Sequence, residues 1–329
     1  MKWPCILVLA ACSSPGKHVD APSSAWSQGS DLPDEVPRLE PGVTALGQRM
    51  VIVGGFDSDL QAGLEITKRV DVYDVGTGTW SKLPDAPVAW THIQLAGLGT
   101  KLYLLGGLAG QTYTAMPDCY VLDTLDTTPT WTPIAPIPTG LERGSAAVVV
   151  APPRIYLLGG AGTNGALATN IFYDVQANTW SQLMPDLPAP RSHPAGMRTV
   201  DGRLIVAGGL ATLDASMPAN DVWSLVPTGT QWEMKMPMPT KRGGCAYGVI
   251  QGQLVCAGGE AGQAAQSTVA SYDPISDAWA TNEDMPHSRA GTQGAAIGDR
   301  LFVPGGAEAL VFEPTATLYI YAPLDAAAR

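Results

Sequence analysis

Short apolar runs that end in paired glycines recur along this chain of 329 residues. They read MVIVGG, LYLLGG, IYLLGG, LIVAGG, LVCAGG and LFVPGG, and the pairs are Gly54-Gly55, Gly106-Gly107, Gly159-Gly160, Gly208-Gly209, Gly258-Gly259 and Gly305-Gly306. Successive first glycines stand 52, 53, 49, 50 and 47 residues apart. Runs of β-branched and aromatic residues bounded by a breaker predict buried strands. A period near 50 predicts repeated blades rather than one continuous core. Seven and six residues before each first glycine lies a two-residue turn: Gly47-Gln48, Gly99-Thr100, Pro152-Pro153, Asp201-Gly202, Gln251-Gly252 or Gly298-Asp299. Five of these contain glycine, as tight hairpins need, so blade 3 must close its hairpin in another way. The apolar or small stretch before each turn gives a first strand and makes the Gly-Gly run the second.

A third strand with a Tyr-Asp flavour follows in VDVYDV (70–75), NIFYDV (170–175) and VASYDP (269–274), with cruder copies in CYVLDT (119–124) and WSLVP (223–227). A tryptophan comes next: Trp80, Trp131, Trp180, Trp232 and Trp279. Tyr73 to Trp80, Tyr173 to Trp180 and Tyr272 to Trp279 are each seven residues, separated by turn material. Each Trp opens a fourth strand. In this series of Gly-Gly, Tyr-Asp and Trp the chain resembles the Kelch repeat, over roughly residues 24–323. The resemblance implies an all-β fold, a six-bladed Kelch-type β-propeller with four antiparallel strands per blade.

The last repeat has no tryptophan after its third strand, and an extra one stands at Trp26. Trp26 lies 28 residues before Gly54, the same distance as Trp131 to Gly159 and Trp180 to Gly208. The last blade is therefore expected to be composite, closed by an N-terminal strand around Trp26 that removes a free edge. A rival register takes Phe312 and Tyr319, also seven apart, as the third- and fourth-strand markers. It leaves almost no loop after Gly306, so the latch is preferred. The tryptophans are read as core rather than as a ligand-stacking array.

Residues 1–12, MKWPCILVLAAC, carry a lysine, a short apolar stretch and small residues before a cysteine. That order describes an export signal, and Leu9-Ala10-Ala11-Cys12 resembles a bacterial lipobox. By that resemblance residues 1–11 are a lipoprotein signal peptide, Cys12 carries lipid, 12–23 form a flexible Ser/Pro-rich tether and 24–329 the propeller. The expected location is the bacterial cell envelope, as an outer-membrane lipoprotein or at the periplasmic or cell surface. Elsewhere no apolar run reaches the ~18 residues of a membrane span. The net charge is −11, or −12 without Lys2, which disfavours nucleic acid and anionic lipid as partners. Membrane contact would come only through the lipid anchor. Beyond Cys12 the mature chain keeps Cys119, Cys245 and Cys256. The last two are diagonal neighbours across the Gln251-Gly252 hairpin; a disulfide is open there, and buried free thiols are preferred.

Binding usually sits on long loops held by a rigid scaffold. Here those loops join the second and third strands, at 56–69, 108–118, 161–169, 210–220, 260–267 and 307–316, on the face that also carries the blade-to-blade connections. Arg38, Arg143, Arg242 and Arg289 stand sixteen residues before their Gly-Gly pairs, Arg191 seventeen, and Trp90 takes the same position in blade 2. Two readings of this series are open. One is a ring of guanidinium groups at the channel mouth, suited to carboxylates and supported by the resemblance, since Kelch adaptors of ubiquitin ligases hold acidic peptides with arginines at this position. The other is bonding to loop carbonyls between blades. His92 and His193 lie near the same rim and read as repeat residues rather than catalysts, and four scattered histidines suggest no metal constellation. The tyrosine, histidine and thioether set of the copper oxidases that share this fold cannot be assembled, and neither paired carboxylates nor a nucleophile motif is recognisable. The expectation is a non-catalytic protein without a cofactor that binds an envelope protein or an acidic glycan. The alternative is a periplasmic sugar-acid mutarotase, by analogy of fold and arginines alone.

Overall fold

The computed structural model describes residues 24–58, 63–213 and 216–324. Six antiparallel sheets stand around one axis. Blade 1 runs through Gly42–Leu46, Arg49–Val53, Val70–Asp74 and Thr79–Leu83, and blades 3, 4 and 5 repeat that order from Ala147, Ala195 and Ala246. Blade 2 has longer middle strands, Lys101–Ala109 and Thr114–Asp123, so most of the expected 108–118 loop is a β-hairpin. The 161–169 and 260–267 loops likewise contain two-residue strand pairs. The first strands pack side by side in a closed circuit, from Gly42–Leu46 through each blade to Ala295–Ile297 and back.

Blade 6 is composite. Ala295–Ile297, Arg300–Pro304 and Leu318–Tyr321 supply three strands, and Trp26–Gln28 pairs with the last, setting Trp26 opposite Tyr321. The register with Tyr319 as a fourth-strand marker is thereby ruled out, because Leu318–Tyr321 is the third strand. The Pro152-Pro153 hairpin still has two residues, with a cis bond between the prolines; proline in cis suits the second central position of a turn.

Each blade-to-blade contact carries its own apolar cluster, such as Val53, Val72 and Leu104 between blades 1 and 2 and Val255, Leu301 and Tyr319 between 5 and 6. The tryptophans add a directed bond at the outer edge. Trp26 Nε1 donates to Glu283 O at 3.0 Å, Trp80 to Ser30 O at 3.1 Å, Trp131 to Pro84 O at 3.0 Å, Trp180 to Ala135 O at 2.8 Å, Trp232 to Pro185 O at 3.1 Å and Trp279 to Met236 O at 2.9 Å. Each acceptor belongs to the preceding blade. Only Trp26 and Trp223 among the nine-tenths-buried core are indoles of the fourth or third strand; the other fourth-strand indoles are half-buried wedges, placed where a large apolar ring with one polar edge fits.

Trp26 both fills the last interface and completes the circuit of indole bonds. Trp26→Ala should lower unfolding free energy in urea by ~3–5 kcal/mol. A loss below about 1 kcal/mol would mean that the ring holds without its N-terminal strand.

Candidate functional site

The glycine pairs explain where the central site lies. In five blades the N–H of the second glycine donates to the carbonyl of the next blade's Arg or Trp: Gly55 to Trp90, Gly160 to Arg191, Gly209 to Arg242, Gly259 to Arg289 and Gly306 to Arg38, at 2.7–2.9 Å. A Cβ on Gly54 would sit 2.5 Å from the Trp90 carbonyl oxygen, so a side chain there would push the blades apart.

These five residues, and Arg143, whose carbonyl accepts from Gln94 Nε2 instead, direct their side chains into protein, and none of the six lines the central cavity. Arg38, Arg143, Arg242 and Arg289 are at most 2 % exposed, and Arg191 and Trp90 are also buried. Arg143 Nη1 donates to Gly159 O and Thr169 O at 2.8 and 2.7 Å, and Arg242 Nη1 to Gly258 O and Thr268 O at 2.9 and 2.7 Å. Arg38 pairs with Asp71 at 2.7 Å, Arg191 with Asp221, and Arg289 with Glu308 at 3.2 Å. Arg191 and Arg289 also lie over the Trp223 and Tyr319 rings. Burial pulls Arg143 and Arg242 down to about 10. The guanidinium groups do not stand at the channel mouth; they tie the loops between second and third strands to their own blades.

The residues that do ring the mouth come two positions later: Glu40, His92, Ser145, His193, Gly244 and Gly291. All six have positive φ, between 52° and 63°. Their backbones bond head to tail around the axis. Glu40 N–H donates to Gly291 O, His92 to Glu40 O, Ser145 to His92 O, His193 to Ser145 O and Gly244 to His193 O, at 2.6–3.0 Å. Four non-glycine residues hold a left-handed conformation that costs ~1 kcal/mol each. The glycines at 244 and 291, each two residues after an arginine, are the sequence signal that could have revealed the ring. In the other four blades the position is occupied by ordinary side chains and carries no such mark.

Above this ring opens a cavity of about 400 Å³. Its wall is apolar, with Leu39, Leu108, Leu213, Leu310, Val311 and Phe312, and Glu40, His92, His193 and Glu260 supply its acidic and basic groups. The wall comes from the long-loop face. The histidines that looked scattered along the chain are thus brought together, with ring centroids 5.0 Å apart. His92 Nε2 lies 3.2 Å from Glu40 Oε2 and His193 Nε2 3.1 Å from Ser145 Oγ. Tyr113 packs edge-on to His92 at 5.3 Å. Burial lowers His92 to about 3 and His193 to about 4, so both rings are neutral near pH 7. Burial raises Glu40, and burial followed by the charge of Glu40 pushes Glu260 up to about 8.

Two further expectations are settled here. Cys245 and Cys256 form a disulfide rather than free thiols, with Cα atoms 5.6 Å apart; diagonal neighbours on one face fall within bonding reach. Cys119 is a buried free thiol, pushed up to about 12 by burial. Cys12 lies outside the described residues.

Arg143→Ala or Arg242→Ala leaves two carbonyls without their donor, and each should cost ~2–4 kcal/mol of stability in urea unfolding; an unchanged midpoint would remove the structural role. Glu260 makes a pH-dependent prediction. Its folded pKa lies above its ordinary value of 4.5, so the ionised form weakens the fold above about 8, and that penalty fades as pH falls toward 4.5. Glu260→Gln should therefore be more stable than the parent at pH ~9 by ~1–3 kcal/mol and converge with it near pH ~4.5. A difference that grows toward acid would refute the assignment.

The KLHDC2/KLHL20/DRC7 Kelch-repeats domain family matches residues 92–306, and the Kelch motif matches residues 37–87. Kelch-like protein terF of Aspergillus terreus is 33% identical over 287 residues, covering 83% of this chain and 61% of that protein. Kelch-like protein 25 of Xenopus tropicalis is 27% identical over 266 residues, 79% of this chain and 43% of the relative. Kelch-like protein 23 of Homo sapiens is 27% identical over 276 residues, with 81% and 45% covered. The chain thus spans between about two-fifths and three-fifths of the length of these relatives. With the family match extending over more than half of its length, the chain belongs to the Kelch-repeat family.

Proposed function

We propose that this chain is an interaction module of the bacterial cell envelope, held by lipid at Cys12, that takes a protein partner on its loop face. The observation that carries the binding part is the cavity at the channel mouth. It is large enough for one or two apolar side chains, and Leu213 and Val311 on its rim are 38% and 46% exposed. Apolar surface of this kind, walled by loops on a rigid ring, suits an anchoring residue of a partner. An acidic glycan is the poorer fit, because Glu40 and Glu260 face the cavity and the repeat arginines are turned into the blades. The mutarotase reading loses its arginine-lined mouth for the same reason. The envelope location rests on the composition of residues 1–12 alone.

A photo-cross-linking residue placed at Val311 or Leu213 tests the face. In envelopes of the native host it should capture a defined protein, and Phe312→Asp should abolish the capture. Probes at Val200 and Ile275, exposed on the opposite hairpin face, should stay unreacted. Capture from the hairpin face, or capture indifferent to Phe312→Asp, would overturn the proposal. Cys12→Ser should move the protein from the membrane fraction to the soluble fraction; an unchanged distribution would remove the anchor.

A further inference from the structure

We propose that Glu40, His92 and His193 form a binding site for a divalent first-row transition metal ion of the zinc class. One ligand atom from each lies within 4.8 Å of those of the other two. Ligands bound at ~2.0–2.2 Å stand ~3–4 Å from one another, so a shift of about 1 Å would close the set. Two imidazoles with one carboxylate suit zinc, iron, cobalt or nickel better than magnesium or calcium.

The hydrogen bonds around the two rings support this assignment. His92 Nδ1 lies 2.8 Å from Thr91 Oγ1, which donates to Leu108 O at 3.4 Å. His193 Nδ1 lies 3.1 Å from Ser192 Oγ, which donates to Thr212 O at 2.8 Å. A hydroxyl has one hydrogen. Directed to a carbonyl, it leaves the oxygen only as an acceptor, so the proton of each ring sits on Nδ1. Nε2 then carries a lone pair in both histidines, the form that ligates metal, and the hydroxyls orient the rings.

This places the Nε2 lone pair of His92 3.2 Å from a carboxylate oxygen of Glu40. Two acceptors at that distance need a shared proton or a cation between them. His193 Nε2 accepts from Ser145 Oγ, a hydroxyl that can rotate away. The three side chains also separate two voids. The larger cavity lies on one side, and on the other a void of about 30 Å³ beside Ser145 and Gln293 has room for a single water or ion. A metal here would keep positions open toward the larger cavity, for water or for a donor atom of whatever enters it. The assignment is independent of the protein-partner reading and of the lipid anchor.

Metal-stripped protein with its disulfide intact, titrated with Co²⁺, gives the test. One equivalent should bind with visible absorption of nitrogen and oxygen ligation and no thiolate charge-transfer band, and Zn²⁺ should displace it. His92→Asn, His193→Asn and Glu40→Gln should each weaken Co²⁺ binding by at least about tenfold. Asparagine is chosen because it tolerates the left-handed backbone. His287→Ala, at an exposed His–Glu pair, should bind like the parent. NMR of the parent protein provides a readout free of folding effects: Zn²⁺ should shift the ring nitrogens of His92 and His193 and leave those of His287. No uptake of either ion would mean that Glu40 and His92 share only a proton, and would overturn the proposal. Equal uptake by the Asn and Gln variants, or its loss in His287→Ala, would overturn it as well.

Discussion

A carbonyl oxygen pressed against two glycines sets the geometry of this protein. The second glycine donates to it and the first leaves room for it, as when Trp90 O meets Gly54 and Gly55. Five blades therefore receive the start of the next at a distance no side chain would permit, and the contact between the last blade and the first is made when Arg38 O reaches Gly306 N. Blade 2 departs from the pattern, because Gly107 lies within its longer hairpin. The indoles make the corresponding bond at the outer edge, where half-exposed rings can supply both apolar area and a directed N–H. The blades are thus held by one polar contact inside and another outside, with apolar packing between.

The same contact determines what can face the axis. The Arg143 and Arg242 side chains lie beside the loop between second and third strands, where carbonyls of Gly159 and Thr169, or Gly258 and Thr268, accept their protons, and Arg38 reaches Asp71. Two residues on, the backbone turns left-handed and presents the next side chain inward. Bonding within the blade and side chains turned to the axis therefore alternate over three residues of the chain. A charged residue in the first position stabilises the blade, and a charged residue in the third changes the site.

The sequence shows the repeat clearly because glycine and tryptophan are required by geometry at their positions. The composite last blade follows from the displaced Trp26, whose spacing to Gly54 repeats that of Trp131 to Gly159, and from the loop that the rival register would lose after Gly306. The arginines have the right period but their direction depends on which way the backbone carbonyl points, and residue spacing does not carry that information. His92 and His193 are 101 residues apart and meet at 5.0 Å only through ring closure, so no local pattern could have joined them. The diagonal placement of Cys245 and Cys256 is legible in the sequence, but free thiols are the preferred reading there, because the distance that allows the disulfide depends on the twist of the hairpin.

The site is lopsided, and the ring residues show why. Blades 1, 2 and 4 contribute Glu40, His92 and His193, whose ligand atoms lie within 4.8 Å of one another. Blades 5 and 6 contribute Gly244 and Gly291, which occupy no volume beyond the backbone. Both glycines border the small void, and Gly291 also borders the large one. The large cavity is lined by Ala307, Leu310 and Phe312 from the loop of blade 6, the blade whose ring residue is Gly291. Room for a ligand and groups able to hold one are therefore consequences of the same six positions. A Cβ on Gly291 would collide with Leu39 Cδ1 and stand 3.0 Å from Glu40 Oε1, so a larger residue there would disturb the apolar wall and the polar cluster together. The binding surface and the polar cluster are therefore coupled through the ring they share, since Leu39, Glu40 and Gly291 line one cavity.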